Sequence, residues 1–139
     1  MSGLDCHEAK NNEEVKSSCV YIAPGDFHMY IYKGEDGKSY IKLDKGPQRN
    51  SVRPAADHLF ETAAQMYGAQ CVGMVLTGMG EDGLAGCRAL KKVGAPVAIQ
   101  NKESCVVFGM PGAVYAADLF DYMGDIPSLT RVLTGLIKG

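Results

Sequence analysis

The sequence predicts an α/β domain with a mostly parallel sheet and an antiparallel β-hairpin. From residue 54 onward, helix-like and strand-like stretches alternate, as they do in parallel α/β folds. Two short apolar runs, CVGMVL at 71–76 and PVAIQ at 96–100, are typical of strands buried on both faces. Residues 28–44 alternate around a Gly-Glu-Asp-Gly turn, which predicts the hairpin.

The N-terminal part of the chain is predicted to supply a polar segment and then a strand. Residues 1–18 are polar and lack periodicity, which favours a loop. The stretch CVYIAPGD at 19–26 is typical of a short strand closed by a Pro-Gly-Asp turn. We therefore divide the chain into a polar N-terminal segment, 1–18, and an α/β domain, 19–139.

Four helices are predicted from apolar periodicity and from the residues at their ends. Pro54 favours the first turn of a helix, and Gly68 and Gly94 favour helix ends. The tail at 128–139 is amphipathic at helical spacing. The predicted helices lie at 54–67, at 84–93, directly after Pro111, and at 128–139.

The composition bounds the class of protein. A chain of 139 residues fits one small domain. With 14 basic and 16 acidic residues the net charge is -2, and no basic patch indicates nucleic-acid binding. No run approaches the roughly 20 apolar residues that cross a bilayer, so we expect no membrane insertion and a cytoplasmic location. The five cysteines are spaced like buried, reduced thiols rather than metal ligands, and we expect no metal and no cofactor.

The loop LTGMGEDGLAG at 76–86 matches the G-x-G-x-x-G spacing of dinucleotide-binding folds. In such a loop, Glu81 and Asp82 would repel the phosphates. The next predicted strand ends in Gln100, where that fold places an acidic ribose ligand. Both observations argue against a nucleotide-binding protein.

Asp82 follows the predicted strand at 71–76, and α/β sheets place their active sites at the carboxyl ends of their strands. Two interpretations of this carboxylate stay open on the residues alone. Asp82 could orient a histidine in a Ser-His-Asp arrangement. It could equally cap the helix that begins near Leu84.

Three stretches carry a resemblance to a known family: YIAPGDFHM, VRPAADHLF and GMVLTGMGEDGLAGCRALKKVGAPVAIQNKESCVVFGMPGAVY. Together they closely resemble the catalytic domain of CheB, the bacterial chemotaxis receptor methylesterase. The similarity covers about residues 13–137, and the combination of LTGMGEDG with SCVVFGMP is highly specific.

The resemblance implies a hydrolase that removes methyl esters from glutamates of chemoreceptor cytoplasmic domains and deamidates certain glutamines, using a Ser-His-Asp triad. It also implies a doubly wound, mostly parallel sheet, of which this chain would form a truncated three-layer α/β/α domain. It assigns the catalytic Asp to Asp82 and places Met79, Gly80 and His28 at the lining of the active site. The expected partner is the methylated chemoreceptor cytoplasmic domain.

The family's Ser and His lie upstream of the YIAPGD segment, and we expect this chain to lack them. The serines near the start of the chain, Ser2, Ser17 and Ser18, and the three histidines, His7, His28 and His58, match neither position. The chain is thus expected to be a catalytic domain without its N-terminal portion, inactive alone, with strand edges that invite self-association. The alternative is a non-catalytic module that binds the receptor or another partner.

Overall fold

The computed structural model describes residues 3–138, and these residues confirm the α/β class with parallel sheets and an antiparallel hairpin. Seven strands and four α-helices lie in the described part of the chain. The strands are β1 (Asp5–Glu8), β2 (Cys19–Ile22), β3 (His28–Lys33), β4 (Ser39–Asp44), β5 (Gly73–Val75), β6 (Val97–Gln100) and β7 (Tyr122–Gly124). The helices are α1 (Ala56–Tyr67), α2 (Leu84–Lys92), α3 (Met110–Ala116) and α4 (Ile126–Lys138).

The described strands form three separate sheets. Strands β5, β6 and β7 are parallel neighbours in that order, and β1 and β2 form a parallel pair. Strands β3 and β4 form the antiparallel hairpin, with His28 opposite Asp44 and Lys33 opposite Ser39. The hairpin turn includes Gly37 at φ 81°, a conformation that favours glycine.

Two strands differ from the sequence prediction. The loop predicted for residues 1–18 was wrong at Asp5–Glu8, where β1 pairs with β2; Met1 and Ser2 lie outside the described residues. β7 was not predicted either. Both strands are short and largely exposed, so neither shows the apolar alternation that marks a strand in sequence.

The larger apolar core lies where α1, α2 and α3 meet β5 and β6. Every residue of β6 is buried, because this strand has a parallel neighbour on each side and helices over it. The buried members of the core are Ala64, Val75, Cys87, Leu90, Ala95, Val97, Ile99 and Val114.

The cysteines are free thiols, but they are less buried than expected. Cys87 is buried, Cys19, Cys71 and Cys105 are half-buried, and Cys6 is exposed. Burial, together with the nearby Asp57 charge, raises the pKa of Cys87 to about 12. Cys87 is therefore an inert core side chain.

A glycine sets the distance between α1 and α2. A Cβ atom added to Gly86 would lie 2.5 Å from Cβ of Phe60, so no side chain fits between the helices there. We expect Gly86→Ala to lower the free energy of unfolding by about 1–3 kcal/mol, measured by urea denaturation. The matched control is Gly135→Ala in α4, where nothing lies within 4 Å; it should be neutral or stabilising by up to about 1 kcal/mol. Equal effects of the two substitutions would contradict this account.

A second, smaller core lies under the hairpin. It contains Ala9, Met29 and Ile41, and Leu59 of α1 packs against it. Helix α1 thus packs against the hairpin on one side and against α2 on another. This packing fixes where α1 begins, beside the loop that leads into α2.

Candidate active site

Asp82 lies in the loop between β5 and α2, but its carboxylate caps the neighbouring helix α1. Oδ2 accepts a hydrogen bond from the Ala56 amide at 2.6 Å, and Oδ1 accepts one from the Asp57 amide at 3.2 Å. The N-cap position of α1 is Ala55, whose side chain cannot accept a hydrogen bond. Asp82 supplies the missing acceptor and is only 6% exposed.

Asp57, in the first turn of α1, caps helix α2 in the same way. Its Oδ1 accepts hydrogen bonds from the amides of Gly83 at 3.0 Å and Gly86 at 2.7 Å. The N-cap of α2 is Gly83, which has no side chain and adopts φ 98°. The carboxylate of Asp57 is 2% exposed and sits at the positive end of the α2 dipole.

The two helices therefore exchange caps. The sequence-based alternative, in which Asp82 caps the helix beginning near Leu84, was wrong, because Asp57 occupies that position. Each carboxylate satisfies amides that would otherwise lack an acceptor at a buried helix end. The exchange fixes the two helix N-termini, and hence Asp82, relative to each other.

A side-chain amide joins the two carboxylates. Nδ2 of Asn50 donates to Oδ2 of Asp57 at 2.8 Å and to Oδ1 of Asp82 at 2.9 Å. Arg49, the preceding residue, lies 3.7 Å from Asp57 and forms a two-pronged ion pair with Glu61 at 2.6 and 2.7 Å. The hydrogen bonds to Arg49 hold the pKa of the Glu61 carboxyl below its usual value. The Arg49 charge and the Asn50 donor thus offset the cost of burying the carboxylates of Asp57 and Asp82 close together.

Asp82 also borders a cavity of about 220 Å³. Of the described residues that line it, Asp82 alone is ionisable. The other lining residues are Ala23, Met29, Pro54, Ala55, Ala56 and Leu59. A carboxylate facing an otherwise apolar cavity interacts more strongly with a hydrogen-bond donor than the same group in water does.

The hydrogen bonds of Asp82 leave one oxygen available. Among the described residues, Oδ1 has two donors, Asn50 and the Asp57 amide, whereas Oδ2 has one, the Ala56 amide. An ionised carboxylate has about four acceptor positions, two on each oxygen. Oδ2 can therefore accept a further N–H, which is the contribution that a triad Asp makes to its histidine.

His28, predicted to line the active site, is fully buried and is not among the residues that line this cavity. Its Nε2 donates to the Pro47 carbonyl at 2.8 Å, and its Nδ1 accepts from the Ala55 amide at 3.2 Å. Both ring nitrogens are thus committed to backbone groups. His28 supports the segment that leads into α1.

Among the described residues, His58, His7, Ser17 and Ser18 make no hydrogen bond to Asp82, whose partners are Asn50, Ala56 and Asp57. The ring centroid of His58 lies 4.4 Å from that of His28, and burial is the largest of the causes that lower the pKa of His58. His7 bonds to Glu13 near the N-terminal sheet. Ser17 and Ser18 are exposed in the turn before β2, and Ser2 lies outside the described residues.

Met79 and Gly80 lie in the same loop as Asp82, before it. The Met79 side chain is 81% exposed, and Gly80 adopts φ 83°. The segment SCVVFGMP holds this loop: the Gly78 amide donates to the Val107 carbonyl at 3.0 Å, and the Met110 amide donates to the Gly78 carbonyl at 2.9 Å. The two motifs that carried the resemblance thus meet at one end of the sheet.

Sequence reasoning missed Asp57 and Asn50. An acidic residue in the first turn of a helix was a usable signal for Asp57, although its partner helix begins about thirty residues later. Asn50 gave no signal apart from the preference of asparagine for tight turns.

Within residues 3–138, no cluster of three or more His, Cys, Asp or Glu side chains is placed to hold a metal ion. The helices described there include none with the length and apolarity needed to cross a membrane.

Comparison with known proteins places this geometry in a family. The family model described as CheB methylesterase matches residues 1–133. The protein-glutamate methylesterase/protein-glutamine glutaminase of Maricaulis maris is 47% identical over 135 residues, which are 97% of this chain and 33% of that protein. The corresponding protein of Thermotoga maritima is 45% identical over 122 residues, 88% of this chain and 35% of that protein.

The fold matches as well as the sequence. The crystal structure of the Thermotoga maritima CheB methylesterase catalytic domain superposes with a TM-score of 0.85 at 42% identity, covering 94% of this chain and 67% of that one. The chain spans about a third of the length of the curated relatives that it matches. On the family match, the relatives and the shared fold, this chain belongs to the CheB methylesterase family.

Proposed function

We propose that this chain is the C-terminal part of a protein-glutamate methylesterase/glutaminase catalytic domain and that Asp82 is the acidic member of its Ser-His-Asp triad. The substrates would be glutamate methyl esters, and certain glutamines, of chemoreceptor cytoplasmic domains. The observation that supports this is the state of Asp82: buried, held by three donors, and with Oδ2 available beside an apolar cavity.

In this reaction Asp82 accepts a hydrogen bond from an imidazole N–H, which fixes the histidine tautomer so that its other nitrogen can take a proton. The serine oxygen attacks the ester carbonyl as its proton passes to that histidine. Collapse of the tetrahedral intermediate transfers the proton to the leaving methoxide, which departs as methanol. Water then attacks the acyl-enzyme as one of its protons passes to the histidine. The histidine returns that proton to the serine oxygen, and the glutamate is released.

The serine and histidine of this triad would come from polypeptide outside the 139 residues. His7 is bonded to Glu13, both ring nitrogens of His28 are committed to backbone groups, and Nδ1 of His58 lies 3.4 Å from the Arg49 guanidinium. Ser17 and Ser18 are exposed, and none of these five residues is bonded to Asp82. We propose that the imidazole reaches Oδ2 through the apolar cavity, whose volume of about 220 Å³ accommodates a side chain of that size. The chain alone is then inactive, and its site of action is the cytoplasm.

A second candidate, a non-catalytic module that binds receptor or another partner, is favoured by a different observation. Two apolar side chains near the Asp82 end of the sheet are strongly exposed: Met79 at 81% and Val106 at 90%. Exposed apolar side chains of this kind occur at protein interfaces. Under this alternative the chain binds the receptor domain but contributes nothing to hydrolysis in any context.

A chimera separates the two candidates. In it, this chain replaces the matched two-thirds of the Thermotoga maritima catalytic domain, whose unmatched part is expected to supply the serine and histidine. We expect the chimera to release methanol from methylated receptor and the 139-residue chain to remain at background. A folded chimera without activity, with receptor binding retained by the chain alone, would favour the binding module instead.

A further inference from the structure

The residue that links the two buried carboxylates sits in an unusual turn. The amides and carbonyls of Arg49 and Val52 exchange two hydrogen bonds, each 3.1 Å long, across the residues between them. Those central residues, Asn50 and Ser51, adopt φ 57° and 65°. Positive φ at both central positions defines a type I′ turn, which asparagine tolerates and serine disfavours. The turn holds a backbone conformation that its sequence does not favour on its own.

The turn places the Asn50 amide between Asp57 and Asp82. Nδ2 carries two hydrogens and lies 2.8 Å from one carboxylate and 2.9 Å from the other, so each hydrogen has one charged acceptor. Because both neighbours can only accept when ionised, the nitrogen rather than the oxygen of the side chain must face them. Asn50 is an exposed residue, although its amide bonds to two buried carboxylates.

Three donors among the described residues bond to Asp82. One is the side-chain amide of Asn50, and the other two are backbone amides of α1. The two backbone amides hold the two oxygens at the helix end. The third donor approaches Oδ1 from the side of the turn and opposes rotation of the carboxylate about its Cβ–Cγ bond. With Oδ1 held in this way, Oδ2, which has one donor, is the oxygen left to accept from a partner in the cavity that Asp82 lines.

We propose that Asn50 is a positioning residue for the methylesterase reaction: its amide fixes the rotation of the Asp82 carboxylate, so that Oδ2 is presented to the catalytic imidazole. The inference rests on the proposed role of Asp82. Asn50 acts only through Asp82 and touches neither substrate nor imidazole. Its Nδ2 group also donates to both carboxylates, which reduces the repulsion between them.

The test uses the chimera described above and four variants: Asn50→Gly, Ser51→Gly, Asp82→Asn, and the double variant Asn50→Gly with Asp82→Asn. Glycine at 50 tolerates the positive φ of the turn and removes only the amide. Glycine at 51 relaxes the turn and keeps the amide, so it is the matched control. Melting temperatures of the same variants, measured in parallel, report any loss of folding.

We expect Asn50→Gly to lower kcat about tenfold or more, since small misplacement of a catalytic group has effects of this order, with KM for methylated receptor unchanged. Ser51→Gly should keep full activity. In the Asp82→Asn background, Asn50→Gly should cause no further loss, because residues that act through one group are not additive.

Two results would overturn the assignment. One is an Asn50→Gly chimera with the kcat of the parent. The other is a loss of the same size in the Asp82→Asn background, which would show that Asn50 acts by another route. Full activity of Asp82→Asn itself would instead refute the proposed function, so the two failures are distinguishable.

Discussion

Asp82→Asn in the active chimera is expected to lower kcat for methyl-ester hydrolysis by about four orders of magnitude, the loss typical of this change in a Ser-His-Asp triad. The asparagine side chain has one acceptor oxygen. It cannot accept from the two α1 backbone amides on separate atoms, as Asp82 does, and also accept an imidazole N–H. The histidine would then adopt the wrong tautomer. The measurement is single-turnover methanol release from methylated receptor.

The matched control is Glu81→Gln, which removes a carboxylate from the adjacent, exposed position. We expect this variant to keep the kcat of the parent chimera, because Glu81 is not among the residues that line the apolar cavity. Activity of Asp82→Asn within tenfold of the parent would contradict the role given to Asp82. A comparable loss in Glu81→Gln would attribute the effect to net charge instead.

Asp57→Ala is expected to produce the largest change in stability, about 3–5 kcal/mol less free energy of unfolding for the 139-residue chain. The substitution leaves the Gly83 and Gly86 amides without their acceptor at the buried start of α2. It also removes one of the two carboxylates that hold the Asn50 amide. Urea denaturation followed by circular dichroism measures the loss.

Asp57→Asn is the control for this prediction. Its side-chain oxygen can still accept from both amides of α2, whereas its NH2 group replaces the oxygen that accepts from Asn50, so the cap is kept and the bond to Asn50 is lost. We expect a smaller loss than for Asp57→Ala, since the acceptor remains in place. If the free energy of unfolding of Asp57→Ala lies within about 1 kcal/mol of that of the parent chain, the exchange of caps does not hold the two helices together.

Elements with strong periodicity were predictable, and elements without it were not. The hairpin, β6 and the four helices carry apolar patterns or end signals that their sequences display directly. Strands β1 and β7 are short and mostly exposed, so their existence depends on pairing with β2 and β6 rather than on their own residues. Local sequence does not contain that information.

The candidate site shows the same division. The position of Asp82 after a buried strand was visible in the sequence, and the resemblance implied that it belongs to a Ser-His-Asp triad. The partner that it caps was not visible, because the α1 amides lie about 25 residues earlier in the chain and reach Asp82 only through the packing of α1 on α2. His28 matched the motif, yet the fold directs both of its nitrogens to backbone groups.

The most direct test of the account is a crystal structure of the chimera, in which the distance from Oδ2 of Asp82 to the nearest imidazole nitrogen of the added segment is measured. We predict a hydrogen bond of about 2.7–3.2 Å, with the Ala56 amide still bonded to the same oxygen. An imidazole farther than about 4 Å from either Asp82 oxygen, or one bonded to a different carboxylate, would contradict the claim that this chain supplies the acidic member of the triad.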